Sequence, residues 1–202
     1  MDETKSNLIE SSSDIIEYGL DFFIENEAVK DFPVLGTAIK IGFTIKSISD
    51  KIFLKKVERF LFRFNELNAK EKYDMIVNIK LEEKTRKKVG ESLILLIDRF
   101  SDFDKPEILS HCFLAYLRGQ LTLDNFLRLG NAIDISYSPD LREFISNPDS
   151  ETVHIALVRS GLTEITRQGM AFNTGAAAPF NLKLNITELG NQFLEVFNKE
   201  NN

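Results

Sequence analysis

Apolar positions recur at three- and four-residue spacing along most of the chain, and the longest such run is Asp31 to Phe64. In its first half, Val34, Leu35, Ala38, Ile39, Ile41, Phe43, Ile45 and Ile48 wrap most of a helical circumference, and Lys40, Thr44 and Ser47 leave a thin polar stripe. In its second half, Ile52, Phe53, Val57, Phe60, Leu61 and Phe64 form one face, while Lys51, Lys55, Lys56, Arg59 and Arg63 fill other positions. That pattern predicts a helix with one side buried. Asp31 offers a cap, and Pro33 sits where a missing N–H is harmless. Gly36 and Gly42 each weaken a helix by roughly 1 kcal/mol relative to Ala, so they point to a bend or a close approach. Residues 31–64 are therefore expected to form a long or kinked helix at the centre of a helical bundle.

Other helices follow from the same period. Asp14 to Glu27 carries Ile15, Ile16, Leu20, Phe23 and Ile24 behind a Ser/Asp cap. Asn68, with Glu71 three residues on, caps a short helix reaching about Lys80. Lys80 to Phe100 reads as one helix, charged at first and then buried through Leu93, Leu96, Ile97 and Phe100. Lys105 to Arg118 carries Ile108, Leu109, Cys112, Phe113, Tyr116 and Leu117, and Gly119 ends it. Thr122 or Leu121 opens a helix with Leu123, Phe126, Leu127, Leu129 and Ile133 on its face. Ser136 to Pro139 is expected as a turn before a short helix, Asp140 to Ser146.

After Asn147-Pro148-Asp149-Ser150 the period changes. Glu151 to Gly161 reads as a short helix using Val153, Ile155, Ala156, Leu157 and Val158. Leu162 to Arg167 and Phe180 to Ile186 alternate with period two and read as strands around a Gly- and Ala-rich loop. Thr187 caps a last helix to about Asn198. In this stretch Leu157 to Leu162 follows the form L-x-x-x-G-L, and Ile186-Thr187-Glu188-Leu189-Gly190 opens the closing helix. The order helix, strand, loop, strand, helix built on these residues resembles a winged-helix domain. The resemblance implies that Glu151–Gly161 stands in the recognition-helix position and that the strand pair is the wing. It makes Arg159, Arg167 and Lys183 the candidate nucleic-acid contacts. They are opposed by Glu151 and by a loop, Gly175 to Pro179, without a cation. Phosphate contacts draw on several cations. The resemblance therefore implies a packing or protein-interaction module ahead of a DNA reader.

The fold class is thus mainly α: a multi-helix bundle over residues 1–136, followed by a small winged-helix-like α/β module over 137–202. The bundle resembles small bacterial proteins of uncharacterised activity, some associated with mobile elements or phage defence, through P-V-L-G-T-A (Pro33 to Ala38), I-F-L-K-K (Ile52 to Lys56) and L-I-D-R-F (Leu96 to Phe100). No catalytic residue is carried over from that resemblance.

Charge and composition narrow the function classes. The chain has a net charge of −6, the wrong sign for nonspecific nucleic-acid binding. Residues 1–30 carry eight acidic and two basic groups, whereas 31–65 carry three acidic and seven basic. The acidic start is the reverse of a basic secretory leader. The most apolar window, Phe32 to Ile45, is 14 residues long with Lys40 inside it. A membrane span needs roughly 20. The single Cys112 sits among Leu109, Phe113 and Leu117 and reads as a buried small hydrophobe in a reducing, cytoplasmic setting. Two histidines, His111 and His154, and one cysteine make no zinc set, and no phosphate loop or metalloprotease motif occurs. No cofactor, metal, catalytic residue or small-molecule substrate is assigned, and the chain is not read as an enzyme.

The function expected from these features is a non-enzymatic protein-interaction or regulatory protein, homo-oligomeric and linked to bacterial phage defence. Its partner would be another protein or a second copy. The contact residues named by the long stretch are Phe32, Val34, Leu35, Ile39, Phe43, Lys51, Lys55, Lys56 and Arg59. The alternatives are a membrane-active or membrane-peripheral effector, in which residues 32–64 meet anionic lipid, and a winged-helix DNA-binding regulator.

Overall fold

The computed structural model describes residues 32, 35–37, 51–78, 83–168 and 181–198, with the side chains of residues 51, 76–78, 167, 168 and 181 outside the description. The expected helix at 14–27, the middle of the long stretch at 38–50 and the wing loop at 169–180 lie outside the described residues. The chain is mostly helical and closes with a two-stranded antiparallel sheet in a winged-helix-like α/β module. It divides into two units, Met1–Gln120 and Leu121–Asn202.

In the first unit, Phe32 precedes a helical turn at 35–37, its carbonyl accepting from the Leu35 and Gly36 amides. The helices that follow are α1 (Lys51–Asn65), α2 (Ala69–Asn78), α3 (Glu83–Arg99) and α4 (Asp104–Leu117). Their ends are set locally. Asn68 and Glu71 form a reciprocal capping box, each side chain accepting the other's amide at 3.0 Å. Asp102 Oδ1 accepts from the Asp104 and Lys105 amides at 2.9 and 3.0 Å. Gly119, at φ +72°, lets the chain leave α4, and the Gly119 and Gln120 amides turn back to the Tyr116 and Ala115 carbonyls.

The most enclosed helix among those described is α4, not the long stretch that the hydrophobic pattern placed at the centre. From Lys105 to Leu117 only Glu107 and His111 escape full burial. The reason lies in its sequence: Ile108 to Leu117 carries no formal charge apart from any on His111. By contrast, α1 keeps Lys55, Glu58 and Arg59 exposed on its outer face. Helix α4 packs on α1 and α2, and α1 packs on α3. The contact with α1 is a chain of rings: Phe32 meets Phe64 edge-on at 5.5 Å, and Phe60 and Phe64 both meet Phe113 at 5.8 and 5.9 Å. Each such pair adds about 1 kcal/mol beyond the area it buries.

The second unit runs α5 (Leu123–Ile135), α6 (Ser138–Ser146), α7 (Glu151–Leu157) with a 3-10 turn (Val158–Ser160), β1 (Thr163–Gln168), β2 (Asn181–Ile186) and α8 (Glu188–Asn198). The division falls at 120/121 rather than at 136/137, because α5 packs on the 3-10 turn and on α8 and so belongs to this core. Helix α6 starts at Ser138, inside the expected turn, since Pro139 is compatible with a first helical turn. Phe126, Leu129, Ile133, Leu141, Phe144, Val153, Leu157 and Phe193 are buried, and Phe144 stacks on Phe193 at 6.1 Å.

The strands pair with Thr163 opposite Ile186, Ile165 opposite Leu184 and Arg167 opposite Leu182. One sheet face therefore carries Ile165, Leu182, Leu184 and Ile186 together with Thr163 and Arg167, and the other carries Glu164, Thr166, Lys183 and Asn185. A clasp joins the start of α8 to the start of β1. The Thr187 amide donates to the Leu162 carbonyl at 3.0 Å. The Thr187 hydroxyl donates to the Gly161 carbonyl at 2.6 Å, with that of Leu162 3.1 Å away, and accepts from the Gly190 amide at 3.0 Å. A Cβ at position 190 would lie 2.0 Å from the Leu162 carbonyl oxygen and 2.8 Å from Ile186 Cγ2. Only glycine fits there. Gly190→Ala forces backbone apart and costs about 3 kcal/mol. Urea unfolding of the full chain followed by circular dichroism checks this, and an unchanged curve would contradict the close approach.

Candidate interaction surface

Helix α7 carries two kinds of position. Val153, His154 and Leu157 face the core. Glu151, Thr152, Ile155, Ala156 and, in the 3-10 turn, Arg159 are exposed. The spacing of this second set, i, i+1, i+4, i+5, i+8, defines one continuous face. Ile155, at 61% exposure, lies at its middle.

The wing carries a second set of exposed apolar residues. Their sheet face is covered at its inner end, where Thr163 is buried and its hydroxyl donates to the His154 carbonyl at 2.5 Å. Farther along the strands the cover ends, and Ile165 and Leu182 are 46% and 65% exposed. Both strands pack on α7, so the helix face and the wing belong to one module. Among the described side chains, Glu151 and Arg159 are the exposed charges of the helix face, while Glu164 and Lys183 lie on the opposite sheet face from Ile165 and Leu182. A surface reading phosphate would be strongly cationic.

Of the candidate nucleic-acid contacts, Arg159 and Lys183 are exposed on the helix and the strand respectively. The Arg167 side chain lies outside the described residues, although its backbone pairs with Leu182. His154, which the sequence also places on this helix, does not reach the surface. Its ring is buried, its Nε2 donates to the Pro148 carbonyl at 2.6 Å, and it meets the Phe144 ring edge-on. That bond places its proton on Nε2 and makes it a structural residue.

The expected contact residues of the first unit divide three ways. Val34, Ile39 and Phe43 lie outside the described residues, as does the Lys51 side chain. Phe32 and Leu35 are buried at 2% and 1% exposure, so their apolar surface faces their own unit and is not presented to a partner or to lipid. Lys56 is also buried, its ammonium donating to the Asp98 carbonyl at 3.0 Å. It falls on the buried face of α1 together with Phe53, Val57 and Phe60. Lys55 and Arg59 do face out, with the Lys55 ammonium 4.9 Å from the centre of the Phe103 ring.

Ile155, Ile165 and Leu182 are the surface residues that pattern reading missed. Periodicity grouped Ile155 with the buried positions, yet it lies off the Val153–Leu157 face by two residues. The strand alternation does place Leu182 and Ile165 on one face. What it lacks is how far that face is covered.

Among the described residues no group of three or more His, Cys, Asp and Glu side chains could hold a metal ion. Cys112 is buried. Burial pushes the Tyr116 phenol up, and that group lies in the first unit's core. No described helix is long and apolar enough to cross a membrane. No protein-family model, curated protein or solved structure matches the chain.

The burial of Lys56 separates two neighbouring lysines by experiment. Lys56→Glu sets a carboxylate against the Asp98 carbonyl in a closed core and costs about 3 kcal/mol or more. Lys55→Glu removes an exposed contact with Phe103 and costs about 0.5–1 kcal/mol. Urea unfolding of both variants measures the difference, and equal losses would contradict the placement of Lys56.

Proposed function

We propose that this chain is a non-enzymatic interaction protein whose winged-helix-like unit docks on protein through the α7 face and the wing. One observation carries the reading. In the position where a winged-helix DNA reader presents cations, this unit presents Ile155, Ala156, Ile165 and Leu182, with Glu151 as well as Arg159 on the helix face. Exposed apolar side chains clustered on one module favour a protein partner. A phosphate backbone would leave them without contacts and would meet Glu151. The resemblance of the first unit to small bacterial proteins, some associated with mobile elements or phage defence, supports a setting in phage defence.

The test uses the full chain in a bacterial host. A photo-crosslinking residue at position 182 is expected to capture protein, and the purified chain is expected not to shift random duplex DNA at low salt. Nuclease-sensitive adducts, or a low-salt shift, would overturn the reading. The setting is tested separately: expression should lower phage plating, and the pair Ile155→Asp and Leu182→Asp should restore it. Plating indifferent to the wild-type chain would remove phage defence from the proposal.

A further inference from the structure

We infer that the protein docked on the α7 face is a second copy of this chain, with α7 antiparallel to its counterpart about a two-fold axis at Ile155; this rests on the reading of that face as a protein-docking surface. A two-fold interface uses the same patch on both copies, so the patch must complement itself. The exposed α7 positions meet that demand in their order. Glu151 lies four residues before Ile155 and Arg159 four residues after it. Glu151 lies about 6 Å before Ile155 along the α-helix, and Arg159, in the 3-10 turn, about 7 Å after it. An antiparallel pair centred on Ile155 therefore sets Glu151 against the partner's Arg159, Arg159 against the partner's Glu151, and Ile155 against the partner's Ile155.

All three residues are exposed in a single chain, so the pairing requires no opening of the core. A parallel pairing in register would set Glu151 on the partner's Glu151 and Arg159 on the partner's Arg159, and both contacts repel. The charge order thus selects one orientation. Ile155 becomes the buried centre with polar pairs at its rim, the arrangement that concentrates binding energy in a few central side chains. The exposed wing residues Ile165 and Leu182 add apolar surface on the same module.

The experiment is sedimentation equilibrium of the full chain. The wild type should show a concentration-dependent dimer. Ile155→Asp should weaken it by about thirtyfold or more. Glu151→Arg or Arg159→Glu alone turns two attractive contacts into two repulsive ones, so each should weaken it by about tenfold, and the two together should restore it. Circular dichroism should match the wild type throughout, because none of these side chains is in the core. Ile155→Cys should form an oxidised dimer, the native Cys112 being buried. A wild type that stays monomeric, or a dimer indifferent to Ile155→Asp and to the charge exchange, would overturn the inference. Capture of a different protein at position 182 by a monomeric chain would overturn the second copy and leave the docking surface standing. Capture of nucleic acid would overturn both.

Discussion

The second unit depends on one close backbone contact, the Leu162 carbonyl against the first turn of α8. That carbonyl accepts from the Thr187 amide at 3.0 Å, and a side chain at position 190 would lie on top of it. Glycine allows the approach, and Thr187 fixes it by joining its amide and hydroxyl to the turn at Gly161 and Leu162. Gly161, at φ +75°, supplies the left-handed residue that this turn needs. The end of α7, the start of β1 and the start of α8 are thereby held at one point. Ile155 and the two paired strands are in turn placed by neighbours packed at that point. Pre-organisation of that kind lowers the entropy lost on association.

In the first unit the corresponding constraint is aromatic. Phe113 on α4 receives Phe60 and Phe64 from α1, and Phe64 in turn receives Phe32. The apolar surface that made residues 32–64 stand out is, where described, largely used to close this unit. Lys56 shares the inner face, and so part of the positive charge counted along the stretch never reaches solvent. Lys55 and Arg59 remain outside.

Local signals in the sequence read well because each is settled within a few residues. The Asn68–Glu71 box, Gly119 at the end of α4 and Thr187 ahead of α8 act at the predicted positions, and Thr122 is the cap of α5. The strand alternation around Ile165 and Leu184 likewise matches the register. Coverage was not legible, because it depends on residues distant in the chain. Helix α4 shows no clean apolar stripe, and only tertiary packing reveals it as enclosed on every side. Ile155 and Leu182 look like core by hydrophobicity, yet Ile155 lies off the buried Val153–Leu157 face and Leu182 lies beyond the covered end of its sheet face. Gly190 could be read as a helix weakener, yet its reason is the Leu162 carbonyl, 28 residues earlier in the chain.

Hydrogen–deuterium exchange on the full chain, resolved to single amides, tests most directly whether the clasp holds the docking surface in place. The amides of Thr187, Gly190 and Asn191 should exchange as slowly as those of the buried His154 turn, and Thr187→Ala should accelerate both groups together, as one cooperative unit. Fast exchange at the clasp beside a protected α7, or a Thr187→Ala effect confined to the start of α8, would contradict the account.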